Sequence, residues 1–256
     1  MSSRSSKTIG FERRFNPMTS IAELDAFVAE SASVGAPKPP NVSRIVTLNQ
    51  GAFLAVPPAP PELPVPAPDS QTLDVRPVEL HLAGHLEGAI NIPLSGSGFA
   101  TKAGFVLDAG APVTVAARTE AEAHDAIAGL RSVAIVDVAG YVLGGGEEQT
   151  TPVALDDLER LEADGALVVD VREKDERDEG YIPGSRNIPY RLMRVCCPDL
   201  PADRPIVTIC GSGPRAAIAA SILRAKGLDA RPVVDGGMTD WLARGERAVT
   251  FRRCGS

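Results

Sequence analysis

The sequence predicts an α/β protein of two domains, each a mostly parallel sheet flanked by helices. Three observations carry this. Short Val- and Ile-rich runs such as Leu167–Val171 and Ile206–Ile209 alternate with helical stretches, the pattern of strands covered on both faces. The chain also repeats itself. Leu73-Asp74-Val75-Arg76 returns as Val169-Asp170-Val171-Arg172, and Gly84 to Pro93 returns in the same register as Gly180 to Pro189. Finally, an apolar run, a Gly-rich turn and an Ala-rich stretch follow one another between Ile206 and Lys226, which reads as strand, tight loop and helix. A chain of 256 residues is long enough for two such cores.

Taken in chain order, residues 1–55 read as a leader without a core of its own. One amphipathic helix is predicted from Ser20 to Ser31, with Ile21, Leu24 and Phe27 along one side and Ser20 as N-cap. The rest of the leader reads as extended and polar. Val56 to Pro68 is rich in proline, either a stiff linker or a rewritten first segment of the first repeat. The first repeat spans 56–148 and the second 149–256. In the second, Leu155 to Ala163 is predicted helical and Leu167 to Val171 a buried strand. Ile206–Ile209 is the next strand, and Arg215–Lys226 a helix stopped by Gly227. Ala230–Val234 is the last strand, and Met238–Arg244 a short helix stopped by Gly245.

The chemistry is concentrated in Cys210-Gly211-Ser212-Gly213-Pro214-Arg215. A cysteine between a strand end and a helix start sits where backbone N–H groups converge and the helix dipole is positive. That field favours thiolate over thiol, so one set of atoms makes a nucleophile and a cradle for an anion. Gly211 and Gly213 let the backbone curl, and Arg215 places a positive charge at the rim. A lone cysteine ending a buried strand is usually a small core residue. A Gly-x-Gly turn closed by arginine has no purpose around such a residue.

Together with Gly180-Tyr181-Ile182-Pro183-Gly184-Ser185 upstream and Asp235-Gly236-Gly237 before Trp241 downstream, the stretch from about Thr151 to Gly245 resembles a rhodanese domain. The resemblance implies a sulfurtransferase. Cys210 would be the catalytic residue, Gly211, Ser212, Gly213, Pro214 and Arg215 would bind substrate, and Asp170 and Arg172 would brace the sheet. Four residues separate Cys210 from Arg215, the short loop of sulfurtransferases; related phosphatases carry one more. The uncharged Gly211-Ser212-Gly213 is also similar to loops of mercaptopyruvate sulfurtransferases, so thiosulfate and mercaptopyruvate both stand as donors. Cyanide, glutathione or another thiol would be the acceptor. In the first repeat Ala117 falls at the place of Cys210 and Glu122 at that of Arg215, which implies an inactive copy. His85, at the place of Tyr181, reads as structural. A silent regulatory or sulfur-relay module is the alternative reading.

The segment Thr8 to Pro17, with Asn41 to Asn49 after it, is similar to the closing part of metallo-β-lactamase-fold domains that precede tandem rhodanese modules in fusions resembling persulfide dioxygenases. The resemblance implies such a domain as a partner missing from this chain. The His-x-His-x-Asp-His cluster of that family is not here; His81, His85 and His124 stand in no such arrangement, and neither a metal nor a cofactor is expected. A net charge of −7 argues against a nucleic-acid surface. Four cysteines, with only Cys196 and Cys197 adjacent, fit a reducing compartment, and no apolar run reaches the ~18–20 residues of a membrane span. A soluble cytoplasmic protein is expected. Cys196 and Cys197 read as incidental thiols, with exchange of sulfur or a disulfide with Cys210 as the sharper alternative.

Overall fold

In the computed structural model the described residues are 8–15, 19, 21–33, 37–51, 57–96, 98–196, 199–245 and 248–250, and the chain forms two units, Met1–Pro39 and Pro40–Ser256. The first unit holds helices α1 (Ile9–Phe15) and α2 (Leu24–Ser33). In α1 the rings of Phe11 and Phe15 lie 4.7 Å apart, at the four-residue spacing that puts side chains on one helix face. The predicted helix therefore exists but starts at Leu24, and Ser20 lies outside the described residues.

The second unit opens with α3 (Val42–Gln50). Both α1 and α3 occupy stretches read as extended. Val42, Ile45 and Leu48 show why α3 is a helix: at a spacing of three they form one half-buried stripe, while their neighbours are exposed. Its docking is polar. The buried Asn41 donates to the Val133 carbonyl, and Arg44 Nη1 donates to the Ala109 carbonyl at 2.7 Å.

Two four-stranded sheets follow, all of their pairings parallel. The first is built from β1 (Gln71–Asp74), β2 (Ile90–Asn91), β3 (Val113–Ala117) and β4 (Val138–Leu143) in the order β2-β1-β3-β4. The second, from β5 (Leu167–Asp170), β6 (Arg186–Asn187), β7 (Ile206–Ile209) and β8 (Ala230–Pro232), has the same order, β6-β5-β7-β8. Helices α4 (Val78–Ala83), α5 (Phe99–Val106) and α6 (Glu120–Ser132) connect the first sheet. The second is joined by α7 (Leu158–Ala163), α8 (Lys174–Asp178), α9 (Met193–Cys196), α10 (Pro214–Arg224) and α11 (Met238–Ala243). Leu155–Asp157, predicted as part of α7, is a 3₁₀ turn that leads into it. Helix α10 starts one residue earlier than predicted because Pro214 suits the first turn, where its missing N–H is not needed. It ends at Arg224, and Gly227 (φ +79) closes it in the left-handed region.

The Pro-rich run is not a free linker. The Leu63 N–H donates to the Tyr141 carbonyl at 2.7 Å and the Tyr141 N–H to the Pro61 carbonyl at 3.0 Å, adding a parallel bridge beside β4. Val153 makes the same kind of bridge to Val233 beside β8. The segment is thus the first element of its repeat.

One polar clasp appears in both halves. Arg172 straddles the buried Asp170 carboxylate (Nη2–Oδ2 2.7 Å) and its Nη2 also reaches the Gly180 carbonyl at 2.7 Å. Arg76 does the same to Asp74 (2.6 Å) and the Gly84 carbonyl (2.8 Å). Asn187 and Asn91 each donate to the carbonyls of the aspartate and the arginine of their own clasp. In the second half Arg177 lies over the Tyr181 ring at 4.1 Å and touches Asp170; in the first, His81 stacks on His85 at 4.1 Å and holds Asp74 at 2.9 Å. His85 is buried and donates through Nδ1 to the His81 carbonyl, a structural place.

The clasp yields a stability prediction. Asp170→Ala strands the buried Arg172 guanidinium and should cost about 3–5 kcal/mol. Urea unfolding measures it, and a loss below about 1 kcal/mol would make the clasp dispensable.

Candidate active site

Strand β7 brings the chain up through the middle of the second sheet and ends at Ile209, opposite Asp170. Cys210 follows, 1% exposed. Gly213, in the left-handed region at φ +98, turns its N–H back onto Cys210 Sγ at 3.2 Å. A Cβ at Gly213 would also stand 3.0 Å from the Val234 backbone, so glycine is required twice over. Helix α10 starts on the next residue and points the positive end of its dipole at the sulfur. Ser212 and Pro214 are exposed at the rim, whereas Gly211 and Arg215 are half-buried.

The other side of the loop is held by the turn into α11. The Met238 N–H donates to the Cys210 carbonyl at 2.7 Å, and the Thr239 N–H to the Gly211 carbonyl at 3.2 Å. These bonds tie the Cys210 and Gly211 carbonyls to the start of α11. They require the backbone at Gly237 to approach so closely that a Cβ there would lie 2.3 Å from the Cys210 oxygen. The two adjacent glycines before Trp241 are the sequence signal of that approach.

Arg215 has a carboxylate partner. Its two terminal nitrogens are taken by the Glu176 carboxylate at 2.6 and 2.7 Å. Glu176 in turn accepts from the Glu173 N–H at 3.1 Å, on the first turn of α8. The hydrogen bond from Arg215 holds the Glu176 carboxyl below its ordinary value of 4.5, against a smaller opposing effect of burial. The guanidinium is raised, first by the same bond. Arg215 is thus tied to α8 by a carboxylate, and the neighbouring Cys210 also raises it. Asp170 and Arg172 lie beneath, in the clasp.

The same register places Ala117 in the first sheet where Cys210 stands in the second, since Asp74 faces Ala116 as Asp170 faces Ile209. Ala117 is fully buried. Glu122 is ion-paired with Arg118 at the start of α6, where the Thr119 hydroxyl also caps the Glu122 N–H. Cys196 is half-buried at the end of α9; Cys197 lies outside the described residues. Among the described residues no helix is long and apolar enough to cross a membrane.

A strand-end cysteine under a helix N-terminus, in a parallel α/β sheet, is an arrangement that can hold an anion beside a thiol. The model of the rhodanese-like domain matches residues 154–244. Over 86 residues the chain is 30% identical to the thiosulfate sulfurtransferase GlpE of Pseudoalteromonas translucida, spanning 34% of this chain and 82% of that one. The chain belongs to the rhodanese-like family. It is also 36% identical over 109 residues to the HTH-type transcriptional regulator Rv0324 of Mycobacterium tuberculosis, 42% of this chain but only 47% of that protein's length. Among solved structures, the rhodanese-related protein of Thermoplasma volcanium is similar at 32% identity, with a TM-score of 0.36 over 39% of this chain and 97% of its own.

Two predictions follow from the loop's supports. Gly237→Ala must push the Cys210 and Gly211 carbonyls aside, and a displacement near 1 Å should lower turnover about a hundredfold while the protein still folds. Activity within about twofold of wild type would show that the contact does not shape the loop. Glu176→Gln tests the brace by pH. Because the folded pKa of Glu176 lies below 4.5, its stabilisation is present above that value and lost as pH falls through the folded one. The melting difference between wild type and Glu176→Gln should therefore shrink in acid; a constant difference would contradict the pairing.

Proposed function

We propose that the chain is a sulfurtransferase that works through a persulfide on Cys210. The observation that carries the reading is the Gly213 N–H on Cys210 Sγ at the start of α10. The Cys210 thiolate attacks the outer sulfur of thiosulfate, the S–S bond of the donor breaks, and sulfite leaves with its electron pair. The new persulfide carries its negative charge on the terminal sulfur, within the field of the loop N–H groups and the helix. Cyanide or a thiolate then attacks that sulfur and restores the Cys210 thiolate. Similarity to GlpE supports thiosulfate as donor, and the neutral Gly211-Ser212-Gly213 leaves mercaptopyruvate beside it.

The first repeat belongs to the proposal as a silent partner in a tandem pair, with residues 56–148 and 149–256 as the two rhodanese-like domains. Ala117 offers no nucleophile. The leader's likeness to the tail of a metallo-β-lactamase-fold domain extends the reading to a place beside persulfide-metabolising enzymes, in the cytoplasm.

Intact mass after thiosulfate should show one added sulfur on the wild type and none on Cys210→Ser, whose thiosulfate-to-cyanide activity should fall to background. Ala117→Cys should not rescue it, because the carboxylates of Glu120 and Glu122 lie in the first turn of the helix there. Substantial activity in Cys210→Ser would overturn the assignment. A persulfide that forms and is not discharged by cyanide or small thiols would favour the relay module.

A further inference from the structure

At the end of α10 remote from Cys210, the two repeats differ in a way that folding does not demand. His85 and Glu148 form an antiparallel bridge (N–H to carbonyl 2.8 and 3.1 Å), as Tyr181 and Val249 do in the second repeat. Glu87 stands at the place of Pro183. One backbone therefore forms with tyrosine, proline and valine at these positions, and again with a histidine and two glutamates. The polar set lines a cavity of about 160 Å³ together with Arg224, the last residue of α10.

Arg224 Nη2 donates to the Gln149 carbonyl at 3.1 Å, but its Nε is buried without a hydrogen-bond partner. The guanidinium has no ion-pair partner among the described residues. A buried donor in this state costs free energy until an acceptor reaches it. His85 uses its Nδ1–H on the His81 carbonyl, which leaves Nε2 as an acceptor. Burial above all, then His81 and Arg224, lower the His85 pKa from 6.5, so the ring is neutral at pH 7. Glu87 and Glu148 likewise have no ion-pair partner among the described residues. Ala225, the C-cap of α10, lines the same cavity, so the negative end of the helix dipole adds to theirs.

One unpaired guanidinium calls for a carboxylate, and a neutral imidazole nitrogen beside two carboxylates calls for an ammonium. At ~30 Å³ for each water-sized group, the cavity holds about five, the size of the common core of an amino acid. Glu87 and Ala225 also line a second cavity of about 370 Å³, where Ile90 and Ile222 offer apolar surface. We propose that the seam between the repeats binds a free α-amino acid, its carboxylate on Arg224, its ammonium among His85, Glu87 and Glu148, and its side chain in the larger cavity. Such an occupant bridges α10 to the first repeat and takes no part in the chemistry at Cys210.

Thermal unfolding of the full chain in the presence of each standard L-amino acid, at millimolar concentration, tests the site. At least one should raise the Tm, because a ligand bound only by the folded chain stabilises it. Calorimetric titration with that amino acid is then compared with the amine that lacks its carboxylate and the acid that lacks its amino group. Each should bind at least about tenfold more weakly, the order expected for one charge-assisted contact. Arg224→Gln should weaken the amino acid about tenfold, and so should Glu148→Gln, whose exposed position leaves folding intact. A Tm raised by no amino acid, an amine or acid that binds as well, or an affinity unchanged in Glu148→Gln would overturn the proposal. Cys210→Ser should bind with wild-type affinity, so failure of the persulfide reading would leave this site standing.

Discussion

Residues Ala216 to Leu223 of α10 are all buried, and four of these eight are alanines. Small side chains allow a helix to be enclosed on every side, at the cost of the usual polar face. One side of α10 packs on β7 and β8, and another meets β2 of the first sheet. There the Ser221 hydroxyl accepts from the Asn91 N–H at 3.0 Å and donates to the Ile218 carbonyl at 2.8 Å, satisfying a strand group that the sheet edge leaves open. A single apolar core runs through it, from Leu73, Ile92 and Val115 to Val169, Ile206 and Ile222. A helix fixed this firmly cannot drift along its axis, so its N-terminus stays aimed at Cys210. The loop's precision derives from the docking of the two repeats as much as from its own glycines.

The clasps explain how two repeats keep one fold while their loops diverge. Each ties a strand end, an arginine and a distant carbonyl into one buried group, and breaking it would strand a charge. In the first half His81 and His85 take the places of Arg177 and Tyr181, and the contact to the aspartate survives the exchange. At Asp74 burial works to raise the carboxyl, and the hydrogen bonds from His81 and Arg76 outweigh it, so it stays below its ordinary range. Ala117, by contrast, is held only by apolar packing in its buried strand.

What was legible in the sequence follows the range of the interactions. The strands of the second sheet and the loop after β7 rest on local patterning and could be read, Ile206–Ile209 to the residue. The clasp showed as Asp-x-Arg because its partners are two residues apart. The Arg215–Glu176 pair joins residues 39 apart, and no local pattern marks Glu176 among the many charges of α8. The carboxylate partner of Arg215 was hidden for that reason. Helices α1 and α3 were hidden differently: the stripe of α3 is only three residues long and its polar anchors, Asn41 and Arg44, reach carbonyls of the first sheet's half.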